Sequence, residues 1–392
     1  MQLQESSPST HLPLLKPISP DAGYADYLTE LTHEFPLSVS QFGVVLVSAL
    51  ELRDRKNGHD AKSKALEEAA PAWEPSIDSP HFQCSLPVPN AAGKNVFTTI
   101  DVTVAGHANT LYARCEHSLM QTAASATTAS ASSDDGTAEN HCSLEATADN
   151  FTKVLESDVV IQGHQNNVVA VMNEILDHPV AKNKPPGQDD DVLQFFYCLN
   201  EIWMPALKTF GKLSDGNRCL KHIITEEQLL KNDPEIRRRC RELEEAEGLV
   251  LGPMVESDVP LMIELNGVKY DEEYGRFIIK RSVCFRNKKG EMVAWAGSHG
   301  DFSVAALHVL PEHRKSGLGR LILHSLAMMH IKLAREILDT RGDDAEPIST
   351  KTLVAHADCM DYNLATIMFM ERCGWHRIGY YLWIGVDRSL KD

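Results

Sequence analysis

Apolar positions are spaced differently in the two halves of this chain. After Leu249 they form short β-branched runs and long periodic stretches. These predict a strand at 249–251, helices at 256–265 and 271–280, a strand at 282–286 and a turn at Lys289-Gly290. Strands at 292–296 and 304–310, a long amphipathic helix at 319–338, a strand at 351–357, a helix at 363–373 and a strand at 378–386 complete the series. That alternation predicts a mixed α/β layer around a central sheet. Before Leu249 the pattern is less regular. Residues 1–10 are polar and predicted loose, and 25–31 reads as a short helix ended by Phe35-Pro36-Leu37. Residues 38–55 are apolar on every side, so periodicity does not separate one helix from a strand followed by a helix. Strands are predicted at 96–104 (VFTTIDVTV), 111–115 and 159–161, and a helix at 167–176. The aromatic-rich stretch 195–210 reads as partly helical and split at Pro205. Pro234 to Gly248 has Pro at its start, strong helix formers within and Gly at its end, and reads as a joining helix.

One segment has no core-forming residues. TAASATTASASSDDG, within 122–140, lacks large apolar side chains and is expected to be a flexible insertion. A polar loop around Pro185-Pro186-Gly187 and an acidic one at 341–347 are also expected. The divisions are then a loose start (1–10), an N-terminal domain (11–233) carrying the insertion, a linking helix (234–248) and a C-terminal domain (249–389).

Composition narrows the function classes. With 43% hydrophobic and 24% charged residues over 392 positions, the chain can bury real cores. The formal charge of −17 disfavours nucleic acid and anionic membranes as partners. The charge is uneven: residues 249–392 carry 18 basic and 19 acidic groups, so nearly all of the net charge lies in the first 248. The near-neutral half is the one able to accept an anionic ligand. Nine cysteines without a C-x-x-C pair argue for a reducing compartment, and no His or Cys spacing suggests a metal. No apolar run approaches a spanning helix, and MQLQESSPST resembles neither a signal nor a transit peptide, so a cytoplasmic location is expected. A mitochondrial location stays open.

The informative stretch is LHVLPEHRKSGLGRLIL, 307–323. A strand ends at Pro311, a loop Arg314-Lys315-Ser316-Gly317-Leu318-Gly319 follows, and an apolar helix starts at once. The first turns of a helix leave N–H groups without intrahelical acceptors, at the positive end of the dipole. Such a turn suits a diphosphate, with Gly317 and Gly319 clearing the approach and Lys315 and Arg320 adding charge. A dinucleotide fingerprint needs three glycines and a following βαβ unit; a P-loop needs Gly-Lys-Ser/Thr, whereas Gly319 precedes Arg320-Leu321.

This Arg-x-x-Gly-x-Gly motif after a strand and a Pro resembles the acyl-CoA diphosphate loop of the GNAT superfamily of N-acyltransferases. The element order over 249–389 is similar to that fold as well. A narrower likeness lies in HGDFS before LPEHRKSGLG, in Arg276-Phe277-Ile278, in Val354-Ala355-His356-Ala357 followed by Asn363, and in EFPLSVSQFGVV near the start. These resemble segments of the glycine N-acyltransferase-like family. The resemblance implies a C-terminal GNAT domain with helices on both faces of its sheet, and an N-terminal half that is a degenerate GNAT-like domain without a phosphate loop. It also implies acetyl-CoA or another acyl-CoA as co-substrate, held by Leu307, His308, Val309, Leu310, Arg314, Lys315, Ser316, Gly317, Leu318, Gly319, Arg320 and Asn363. The acceptor it implies is a small amine or amino acid. A protein N-acetyltransferase and a non-catalytic acyl-CoA-binding protein are the alternatives.

Such chemistry needs a base, an oxyanion donor and a proton for the leaving sulfur. The resemblance puts the base at Asp301, with His299 and His308 as rivals because imidazole needs little tuning near neutrality. The backbone N–H of Val309 or Leu310 is the expected oxyanion donor. Asn363 would meet the pantetheine arm or simply cap a helix. The Tyr that many GNAT enzymes carry before a Gly-aromatic pair is absent: ahead of Gly374-Trp375 stand Phe369-Met370. Cys359 and Cys373 read as core residues, because no covalent step is required.

Overall fold

A computed structural model describes residues 16–18, 24–33, 35–56, 80–89, 95–105, 108–116, 118–119, 159–177, 194–210, 212–213, 216–268, 270–339 and 352–387. The N-terminal residues 1–10, the insertion at 122–140 and the loops at 185–191 and 341–347 lie outside them. In chain order the elements are β1 (Lys16–Pro17), α1 (Tyr24–Thr32), α2 (Val39–Lys56), β2 (His81–Pro89), β3 (Asn95–Ala105), β4 (Ala108–Ala113), α3 (Val159–Asp177), β5 (Gln194–Asn200), α4 (Met204–Leu207) and β6 (Lys212–Leu213). There follow β7 (Asn217–Thr225), α5 (Glu226–Glu247), β8 (Val250–Gly252), α6 (Val259–Leu265), α7 (Glu272–Ile279), β9 (Val283–Arg286), β10 (Met292–Ser298) and β11 (Val304–Val309). The last are α8 (Leu318–Leu338), β12 (Val354–Met360), α9 (Leu364–Arg372) and β13 (His376–Asp387). The fold is mixed α/β, as expected. No described helix is long and apolar enough to cross a membrane.

By packing, the chain divides into two units: 1–18, 80–216 and 383–392 form one, and 19–79 and 217–382 the other. In the first, β2, β3 and β4 form an antiparallel run and β5 joins β4 in parallel. Helix α3 packs on β2 and β3. Its buried positions Ile161, Val168, Val171, Met172 and Ile175 recur at helical spacing. The β-branched trio 159–161 is therefore the first turn of that helix and not the expected strand, tertiary burial overriding β-propensity. Conversely, 194–200 is a strand with Phe196 and Leu199 fully buried, and helical turns begin only at Glu201. Asn200 starts them, its side chain accepting from the Ile202 N–H at 3.1 Å.

The second unit holds the antiparallel sheet β8-β9-β10-β11. Strand β7 stands between β12 and β13, antiparallel to β12 over seven residue pairs. Between β11 and β12 the described structure has one parallel bridge, Ser303 to His356. Trp295 of β10 packs with Met262, Tyr274 and Phe277 of α6 and α7. On the other face, α8 buries Leu321, Ile322, Leu323, Leu326 and Ile331 against β9, β10 and β11. Each such side chain contributes ~1.5–3 kcal/mol by leaving water.

One open reading is resolved here and one expectation changes. Residues 39–56 are a single helix, and Val44 to Ser48 are all within 1% of full burial. A helix buried all round has no polar face, which is why its period was illegible. The joining helix does not begin at Pro234. It starts at Glu226, where Thr225 and Gln228 form a capping box, and Pro234 lies inside it. Its end is the expected one, Gly248 in the left-handed region at φ 69°.

Candidate active site

Strand β11 has an irregular backbone. Ala306 has φ 51°, and the register with β10 shifts between Trp295 and Gly297. Beyond that bulge, the Leu310 N–H donates to the Val293 carbonyl at 3.0 Å. Alternation along the strand then turns the Val309 N–H and C=O to the opposite edge, away from β10. The Val309 carbonyl there accepts from Arg314 Nε at 3.1 Å. Of the two expected oxyanion donors, Leu310 is bonded within the sheet and Val309 faces the open edge.

The loop after β11 ends in Gly317 at φ 90°, the N-cap of α8, with Lys315 also left-handed at φ 64°. A Cβ on Gly317 would meet nothing within 4 Å, so the backbone there faces open space, but a side chain would be strained by φ alone. Gly319 differs: its Cβ would come 3.1 Å from the Phe369 ring, so it serves the close approach of α8 and α9. A cleft of about 700 Å³ lies over this turn. Its walls are Leu307, His308 and Val309 of β11, the loop and helix start from Arg314 to Arg320, and one face of α9.

The expected loop residues Arg314, Lys315, Gly317, Leu318, Gly319 and Arg320 are thus brought together with Leu307, His308 and Val309. Three expected residues are placed otherwise. Leu310 packs against the Trp295 core. The Ser316 hydroxyl bonds to the His313 carbonyl. Asn363 caps α9, its side chain accepting from the Thr366 N–H at 3.2 Å. Residues missed from sequence are His313, Ala365, Thr366, Phe369 and Arg372. The α9 face at 365, 366, 369 and 372 follows helical spacing and was readable once the helix was assigned.

The cleft's charge is lopsided. Arg314, Lys315, Arg320 and Arg372 line it, and no carboxylate does. Among the described residues Lys315, Arg320 and Arg372 form no ion pair, whereas Arg377 near the same helix is paired with Glu371.

The three candidate bases sit in different surroundings. His308 lines the cleft, its ring stacked on Trp295 at 4.8 Å between centroids. Its Nε2 is buried without a hydrogen-bond partner. Partial burial and, secondarily, the Arg314 charge hold its pKa below the ordinary value, so it is neutral at pH 7. His299 bonds through Nδ1 to the Tyr274 hydroxyl, and burial lowers its pKa as well, against the opposing charge of Asp301. Asp301 is 1% exposed and belongs to no wall of the cleft. Its Oδ1 accepts from the Ser303 N–H at 3.0 Å and hydroxyl at 2.6 Å, and its Oδ2 lies 3.1 Å from His356 Nε2. Burial would raise its pKa, but His356, Lys221 and Ser303 outweigh that and hold it well below the carboxylate range. A carboxylate so stabilised is a weak base. Cys359 and Cys373 are not activated, burial pushing their thiols up to about 12 and about 11.

No protein-family model matches the chain, and no curated protein matches it significantly. Remote likenesses exist among solved structures. A Drosophila protein is 11% identical, with 96% of this chain and 99% of that one covered and a TM-score of 0.47. A tandem GNAT protein from the clavulanic acid biosynthesis pathway is 9% identical over 96% and 99% of the chains, with a TM-score of 0.37. A fungal multi-domain β-N-acetylglucosaminidase with a GCN5-related glucosamine N-acetyltransferase region is 12% identical, covering 95% of this chain and 38% of that one, TM-score 0.31. Likenesses this remote say nothing of activity.

Proposed function

We propose that this chain is an acyl-CoA-dependent N-acyltransferase of the GNAT kind, moving an acyl group such as acetyl from CoA to the amine of a small acceptor, for example an amino acid. The observation that carries the reading is one cleft holding a basic glycine turn, an edge N–H at Val309 and a neutral, unpartnered imidazole at His308. The CoA diphosphate fits the open backbone at Gly317, and the unpaired Lys315, Arg320 and Arg372 supply the opposite charge.

In this reading the Val309 N–H donates to the thioester carbonyl oxygen and takes up the charge that develops there, a contribution of roughly 10²–10³ in rate for one such donor. His308 accepts the proton of the incoming ammonium through the ring nitrogen other than the buried Nε2. The free amine then attacks the carbonyl carbon, the C–S bond breaks, and the second proton, which the nitrogen sheds as the amide forms, passes to the thiolate. Phe369 in the cleft wall has no proton to give, so water relays that proton. This reading does not use Asp301 as the base, because it is buried, bonded to Ser303 and His356, and held ionised. The likeness of HGDFS and LPEHRKSGLG to the glycine N-acyltransferase-like family supports a small acceptor. Thiol release from acetyl-CoA and longer acyl-CoAs, measured against a panel of amino acids, amines and peptides, tests the reading. Release that depends on a small amine supports it, dependence on peptides turns it to protein acylation, and CoA binding without release leaves a non-catalytic binder.

A further inference from the structure

The second unit contains a buried charged cluster that the proposed chemistry does not use. Lys221 of β7 is fully buried and donates to Asp358 Oδ2 of β12 at 2.9 Å and to Ser40 Oγ of α2 at 2.8 Å. Ser40 Oγ lies 3.4 Å from His356 Nε2, and the same nitrogen lies 3.1 Å from Asp301 Oδ2. Asp301 in turn holds Ser303 by its N–H and hydroxyl. Ser, His and Asp together suggest a nucleophile, but both contacts of His356 use one nitrogen and Ser40 is 5% exposed, so no attacking group is presented.

The cluster's position matters more than its composition. Ser303 and His356 form the one described bridge between the parallel strands β11 and β12, and β11 runs from there to Val309 in the cleft. Helix α2 presses on the same point: a Cβ on Gly43 would fall 1.7 Å from the Asp301 carbonyl oxygen, so only glycine permits the contact. One helix, some 260 residues earlier in the chain, therefore supplies both a hydroxyl to the buried lysine and a backbone seat for the turn that starts β11.

We propose that Ser40 and Asp301 are positioning residues that pin β11 to β12 at Ser303–His356, and so fix the Val309 N–H at the distance from which it polarises the acyl carbonyl. This rests on the acyltransferase reading above. A cluster with every member hydrogen-bonded specifies one arrangement of its strands; loss of one member lets the bridge relax. CoA itself, held by the loop, should not register the change.

The test pairs calorimetric CoA binding with isotope-edited infrared spectroscopy of acetyl-CoA labelled at the thioester carbonyl. In the wild type the bound carbonyl stretch is expected below its value in free acetyl-CoA. Ser40→Ala and Asp301→Asn should keep the CoA dissociation constant within about twofold of wild type, because neither residue lines the cleft, yet return the stretch toward the free value. Ser40→Ala leaves the Lys221–Asp358 pair in place and decides alone if Asp301→Asn does not fold. Variants with the wild-type shift would overturn the positioning role while leaving the acyltransferase reading standing, and an unshifted carbonyl in the wild type would overturn the positioning role together with the part given to the Val309 N–H. A wild type that binds neither CoA nor acetyl-CoA would overturn both.

Discussion

The two units share a topological feature and differ in what they do with charge. In each, an antiparallel run leads to a strand with a parallel neighbour: β4 with β5 in the first, β11 with β12 in the second. In the first unit the charges beside that strand are matched internally. Arg114 pairs with buried Asp101 at 3.1 Å, Gln83 donates to the same carboxylate, and Glu116 accepts from the Ala113 N–H and the Trp203 indole. In the second unit the equivalent strand runs into a glycine turn whose cleft is lined by cations and by no carboxylate. Matched charge holds a fold; unmatched charge waits for a ligand.

The largest expected effect concerns the frame of the second unit. A fragment starting at Pro234 lacks β7 and α2, and with them Lys221, Ser40 and the seven pairs along β12. It is expected not to fold, which circular dichroism and thermal melting would show; a cooperatively folded fragment would mean that β7 is dispensable. Next is Gly317→Glu. A left-handed position forced onto a side chain, and an anion set where an anion should bind, ought to abolish the rise in melting temperature that CoA is expected to give. An undiminished rise would remove the turn from the account.

Buried histidines should behave alike in the two units. His81 in the first and His330 in the second are each lowered to about 3 by burial. A neutral histidine in the fold and an ordinary one near 6.5 in the unfolded chain give stability that is fully present above 6.5. It is lost as pH falls from there toward about 3, at roughly 1.4 kcal/mol per pH unit for each. Denaturant melts between pH 7 and 4 check this, and stability that is flat over the range would contradict it.

The charge contrast itself is sharpened by two smaller changes. Arg114→Gln strands a buried carboxylate and should cost about 1–3 kcal/mol of stability without touching CoA affinity. Arg320→Gln or Arg372→Gln should do the reverse, leaving stability unchanged and weakening CoA up to about fivefold, less at high salt. Equal effects from both kinds of change would erase the distinction.

Much of the second unit was legible because each element carries its own local signal. The loop showed its glycines and cations, Lys289-Gly290 its turn, and 318–338 a clean apolar stripe. What escaped depends on tertiary context. Burial all round hid the period of α2, and burial of one face turned the β-branched 159–161 into a helix. Pro234 masked a capping box that opens nine residues upstream, which Thr225 and Gln228 do spell out. Three candidate bases stood within ten residues, and only hydrogen bonds and burial separated them. Asp301 proved inward-facing because Lys221 and His356, far off in sequence, surround it, and no local pattern records that.

The central claim is that His308 takes the acceptor's proton in a cleft that holds acyl-CoA. It is tested most directly by the rate of amine-dependent thiol release from acetyl-CoA, for wild type, His308→Gln and Asp301→Asn, from pH 6 to 9. His308→Gln should lower turnover by about 10²–10⁴ near neutrality, with the gap narrowing at high pH where the amine is already free. Any loss in Asp301→Asn should be the same at every pH. A pH-dependent loss in Asp301→Asn, with His308→Gln close to wild type, would contradict the account.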